Sequence, residues 1–170
     1  MSGTRQATEL SGSGGEVTIE LAPSGGVPPL VFGMSRAEAS EAMRAWGEPR
    51  DGADTAGRTL NVRDDGLTRD VYAHFDEGDR LTSVVIWRPE PGEVHVVVRF
   101  RDIDVFGQPA DAVLEALRQR GYVVDTSDRY FPLCNDIALG FNREGGEDCD
   151  DEGLARHFNS VLTAAPGHYG

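Results

Sequence analysis

The sequence predicts an α+β fold: two tandem helix-plus-antiparallel-sheet repeats packed as one compact unit. Three observations predict it. Segments in which apolar and polar residues alternate outnumber helical ones. Only two stretches carry helix start and stop signals. A Val-Phe-Gly tripeptide opens both of those stretches, at residues 31–33 and 105–107.

The elements follow in order. Residues 1–15 hold four Gly and three Ser and are expected to form a flexible tail outside the fold. Val17, Ile19 and Leu21 have the period of a strand, and the three prolines and two glycines of residues 22–29 read as a loop. Ser35 and Glu38 form an S-x-x-E capping box, after which Ala39, Met43 and Trp46 share one helical face, and Gly47 and Pro49 end the helix. Leu60 and Val62 alternate, and residues 71–87 read as a hairpin around the Glu77-Gly78-Asp79 turn. Val94, Val96, Val98 and Phe100 line one face of a longer strand. A second helix starts at Pro109, buries Val113, Leu114 and Leu117, and stops at Gly121. Further strands are expected at residues 122–124, 137–141 and 160–164.

The two helical stretches are related. Residues 31–47 and 105–121 agree at seven of seventeen positions without a gap. Asp70, Val71 and Phe75 match Asp136, Ile137 and Phe141, and Ser83, Val84 and Pro89 match Ser160, Val161 and Pro166, in the same order. The expected division is a tail at 1–15, a first repeat with a leading strand at 16–101, and a second repeat at 102–170. One helix on a few strands makes a marginal core of ~70 residues, and joining two such units hides their edges.

The F-G-M-S-R-A-E-A start at 32–39 and the W-G-E-P end at 46–49 resemble an element of the SmpA-like and beta-lactamase-inhibitor-protein-like group. Its members are small helix-plus-sheet modules that work through binding, and the inhibitor proteins are tandem repeats of about this size. The whole chain, to its S-V-L-T-A-A-P-G-H-Y end, also resembles acidic actinobacterial proteins, some of them immunity-like. The resemblance implies a binding style, with a concave sheet face as the site. It departs from the inhibitor proteins in having neither a signal segment nor their cysteines.

Composition narrows the partners. The chain has 170 residues, 29 acidic and 16 basic, for a net charge of −13, and every basic residue is Arg. That balance disfavours nucleic acid, whose binding needs cations to displace counterions, and anionic membranes. No apolar run approaches the ~20 residues of a membrane span, so a cytoplasmic protein is expected. Cys134 and Cys149 fit no zinc spacing and read as ordinary thiols of a reducing compartment; a bridge between them would go with export. His74, His95, His157 and His168 follow no metal or catalytic spacing, and no nucleophile elbow, P-loop or dinucleotide fingerprint is present.

The sharpest local feature is acidic. Glu144, Glu147, Asp148, Asp150, Asp151 and Glu152 put six carboxylates in nine residues. Asp148, Asp150, Glu152 and Gly153 have the order of a calcium loop's start, but its twelfth position is Asn159 instead of the closing Glu, which favours a solvated loop. As an interaction surface, this loop would face a basic protein, with Arg129 and Tyr130 as neighbouring anchors; Trp46 and Trp87 are placed on or beside core faces. The functional expectation is therefore a non-enzymatic immunity or inhibitor protein without cofactor, recognising a basic partner. The alternative is a small-ligand-binding protein or enzyme with a pocket between the repeats, where Arg99 and Arg101 hold an anionic group.

Overall fold

A computed structural model describes residues 16–52, 57–63, 70–90, 95–146 and 148–166. The expected tail, Val94, Glu147, His168 and Tyr169 lie outside the described residues. The chain is mixed α and β, mostly sheet, with two α-helices among the described residues.

Seven strands form one antiparallel sheet. They are β4 (Arg50–Asp51), β5 (Thr59–Arg63), β6 (Asp70–Phe75), β7 (Leu81–Trp87), β10 (Leu133–Cys134), β11 (Leu139–Asn142) and β12 (Ser160–Ala164), in the spatial order β10-β11-β12-β7-β6-β5-β4. The expected hairpin is β6–β7, turned by Asp76, whose Oδ1 accepts from Gly78 N and Arg80 N at 2.9 and 3.0 Å. A smaller sheet holds β1 (Glu16–Leu21), β8 (His95–Phe100) and β9 (Ile103–Asp104). Here the expectation of antiparallel sheets fails: β1 and β8 are parallel, Ile19 opposite Val98. Alternation fixes which side chains point inward, while the direction of a distant partner strand leaves no local trace.

Helix α1 (Arg36–Met43) forms on the capping box as expected: Ser35 Oγ accepts from Glu38 N at 3.2 Å, and Glu38 accepts from Ser35 N at 2.8 Å. It buries Ala39 and Met43, and Trp46 just beyond is 5% exposed. Helix α2 (Ala110–Gln119) buries Ala110, Val113, Leu114 and Leu117. Pro109 is its N-cap, one position earlier than expected, and has no side chain to satisfy the first amides. Ala110 N instead donates to the Arg156 carbonyl at 2.7 Å.

Three other expectations are corrected. Residues 22–29 are not simply loop, because β2 (Gly26–Val27) and β3 (Leu30–Val31) form a hairpin that buries Val27 and Leu30 completely. Gly26, at φ +137°, is required there, since a Cβ would collide with the Leu30 carbonyl. Residues 122–124 form no strand; Tyr122 and Val124 pack on the core, Val123 is exposed, and pairing begins only at Asp125, bridged to Leu133. The strand expected at 137–141 starts at Leu139. Asn135–Ile137 forms a 3-10 turn, and Ala138 at φ +50° breaks the run.

One hydrophobic cluster joins both sheets, the β2–β3 hairpin and both helices. It lies on the side of the large sheet that carries Leu60, Val62, Val71, Ala73, Val84, Ile86, Leu139, Phe141 and Val161. No helix among the described residues is long and apolar enough to cross a membrane.

Candidate interaction surface

Directly paired residues of an antiparallel sheet point to the same side, so the registers define the opposite face as rows. The central row crosses all seven strands: Arg50, Asn61, Tyr72, Val85, Leu162, Gly140 and Leu133. One neighbouring row runs Thr59, His74, Ser83 and Ala164. The other carries Arg63 and Asp70 on one side, then Trp87, Ser160 and Asn142. Tyr72, Val85, Leu133 and Leu162 are only half-buried, and Trp87 is 40% exposed. Trp87 was expected on or beside the core. It instead shares the parity of Val85, opposite Val84 and Ile86, and that parity turns it outward.

Two concavities mark this face. An apolar groove of about 420 Å³ is lined by Val85, Leu162, Leu133, Phe131 and Pro132, with Gly140 at its floor. A polar cleft of about 440 Å³ is lined by Trp87, Asp70, Glu90, Glu144, Arg63 and Arg88. Asn142 borders both, so they are neighbours. Burial, with the Asp70 charge beside it, raises the Tyr72 phenol above its ordinary range.

The expected anchors and the acidic loop adjoin this face. Arg129 forms an ion pair with Glu152, and Tyr130 and Phe131 are 41% and 45% exposed. Asp148 meets Arg156 Nε at 3.3 Å and His157 Nδ1 at 3.4 Å. Asp150 Oδ1 accepts from Glu152 N and Leu154 N at 2.9 and 3.0 Å, and these backbone donors, Leu154 first, hold its carboxyl below the usual range. Glu144 borders the cleft, Asp151 is exposed, and Glu147 lies outside the described residues. The carboxylates of Asp148, Asp150 and Glu152 thus point to three different sets of partners instead of one centre. No group of three or more potential metal-ligating side chains occurs among the described residues.

The loop is built onto α2 by Arg143, whose side chain is 6% exposed. Its Nε and Nη2 donate to the Ala155 carbonyl at 3.0 and 2.9 Å, and its Nη1 donates to Asp111 Oδ1 at 2.8 Å. Nothing in the spacing of the sequence singles out this buried cation.

The chain matches no family model, no curated protein and no solved structure.

The remaining sequence candidates are apart from this face or chemically quiet. Arg99 Nε lies 3.2 Å from Glu20 Oε2, whereas Arg101 leaves the strand at φ +57° and places its guanidinium over the Phe100 ring. They do not converge on a common point as an anion site would need. Both cysteines are free: burial pushes the Cys134 thiol up to about 11, and Cys149 Sγ donates to the Gly146 carbonyl at 3.2 Å. The residues that sequence reasoning missed are Tyr72, Val85, Trp87, Leu133, Gly140 and Leu162. Their signal was present as the second parity of each strand, which reads as solvent-facing until the strands are placed side by side.

Proposed function

We propose that this chain is a non-enzymatic protein-binding module, an immunity or inhibitor protein that recognises a basic partner in the cytoplasm. The observation that carries the reading is the accessible part of the second face of the seven-stranded sheet, where Tyr72, Val85, Trp87 and Leu162 stand half-buried or exposed beside Tyr130 and Phe131. Clustered aromatic and aliphatic side chains on an open surface supply the desolvated centre that protein recognition needs. The net charge of −13 favours a basic partner and fast, salt-sensitive encounter. The acidic loop and Arg129 form the rim in this reading. Part of its acidity serves the fold, through Asp148, Asp150 and Glu152.

The same reading takes the chain as two copies of one unit. Its support is that α1 and α2 begin 74 residues apart, the offset of the Val-Phe-Gly match, and that β7 and β12 lie side by side. Carrying the Ser83–Ser160 match through the registers equates Val71 with Leu139, not with Ile137 as the strand alignment had it.

A second reading, binding of a small apolar ligand, has one observation in its favour. The groove's volume of about 420 Å³ falls within the ~300–1,000 Å³ of small-molecule sites. The two readings separate in a pull-down with the product of the adjacent gene at low and high salt. The expected result is a complex that weakens as salt rises; no complex at either salt overturns the immunity reading.

A further inference from the structure

The groove has a cause in the sequence. In the central row, Gly140 stands between Leu162 and Leu133, so one side-chain position of the open face is empty. Phe131 and Pro132 wall the gap from the loop above, and Val85 extends it toward β7. Gly140 is not among the glycines with positive φ, so its backbone does not require glycine. What its lack of a side chain leaves is a socket for a side chain from outside.

The next row lies two residues along the strands, and its Trp87 stands on β7, two strands across from Gly140 on β11, so the two positions are roughly 12 Å apart. There the cleft offers the exposed Trp87 indole with Asp70, Glu90 and Glu144. Together with Asp128 at the groove's rim, the two concavities present four carboxylates against the two guanidinium groups of Arg63 and Arg88. An aromatic face flanked by carboxylates suits a guanidinium or ammonium group. An extended segment returns a side chain to the same face every second residue, so four positions, roughly 13 Å, reach from the socket to Trp87.

We propose that this face binds an extended segment of the partner that sets a large apolar side chain into the socket over Gly140 and an Arg or Lys, four positions away on the same face, against Trp87. The proposal rests on the protein-binding reading and specifies what that partner must carry. The socket supplies the buried anchor, and the neighbouring cleft selects for a cationic neighbour.

The test pans a displayed library of random dodecapeptides against the full chain, Gly140→Leu and Phe131→Ala, each first checked for an unchanged melting transition. Leu at 140 fills the socket; Phe131→Ala removes an exposed wall and covers the case in which the first variant fails to fold. Wild-type chain is expected to enrich peptides with a large apolar residue four positions from Arg or Lys, and both variants to deplete them at least tenfold. Trp87→Ala is expected to erase the preference for Arg and Lys while keeping the apolar residue. Equal enrichment on wild type and the socket variants overturns the proposal, as does enrichment of acidic peptides or of none. If an apolar dye binds wild type but not Gly140→Leu while no peptide is enriched, the groove is a small-ligand site and the proposal falls. A partner still captured from the adjacent gene in any of these cases leaves the protein-binding reading intact and moves its site elsewhere.

Discussion

Arg143 and Thr163 are polar groups in places where the sequence pattern gives no reason for them. Arg143 is buried and each of its three side-chain nitrogens donates, so replacing it with Met leaves the Ala155 carbonyl and the loop that caps α2 without that donor. A loss of about 3 kcal/mol is expected in urea unfolding. Asp111, its partner, is 83% exposed, and Asp111→Ala should cost under about 1 kcal/mol. Thr163 is the reverse case. It occupies the core side of β12, opposite Val84 and Leu139, and its Oγ1 has no hydrogen-bond partner among the described residues. Thr163→Val keeps the shape and removes a desolvated hydroxyl, so a gain of about 1 kcal/mol is expected from the same measurement. Alkylation should separate the thiols: Cys134, buried and pushed up to about 11, is expected to react only as fast as the chain unfolds, and Cys149 much sooner.

The strands and helices divide by how local their causes are. The capping box made α1 legible, because Ser35 and Glu38 satisfy each other's amides within four residues. Period-two runs made β5 through β8 and β12 legible in the same way. The β2–β3 hairpin was hidden because Gly and Pro dominate its composition, although Val27 and Leu30 are fully buried. The parallel β1–β8 pair was hidden because its partners are about 79 residues apart in the chain. The acidic loop was legible as acidic but not as a helix cap, since the Arg156 carbonyl that receives Ala110 N is a backbone atom with no sequence signature. That role has a pH dependence. Backbone donors hold Asp150 below its ordinary 3.8, so its contribution is fully present above about pH 4 and is lost as pH falls through the lowered value. Asp125, held down by Ser127, follows the same sign. Protection of the Leu154 amide, its exchange measured against the unstructured rate at the same pH, is expected to fall below pH 4 and to be weaker at neutral pH in Asp150→Ala.

Across the whole molecule, one side of a seven-stranded sheet carries the core, and the other leaves Tyr72, Val85, Leu133 and Leu162 half-buried and Trp87 exposed. The sequence predicted the class and the helix faces but treated the second parity of the strands as solvent-facing. It therefore named residues only in the acidic loop and at Arg129–Tyr130, left the concave sheet face implied by the resemblance without residues, and turned Trp87 inward. The open face changes the weight of these residues: Glu144 joins a cleft with Trp87, while Asp148, Asp150 and Glu152 have work within the fold. In the proposed reading, long-range attraction from a net charge of −13 speeds encounter, and the face supplies what holds the complex together. The direct test of the proposed reading is the affinity of the adjacent gene's product, the partner it names, for wild type and for a Trp87→Ala, Leu162→Ala double variant at 0.15 M salt. The expected result is at least a tenfold weaker complex, through faster dissociation, with an unchanged fold. An unchanged affinity would contradict the assignment of the open face as the binding surface.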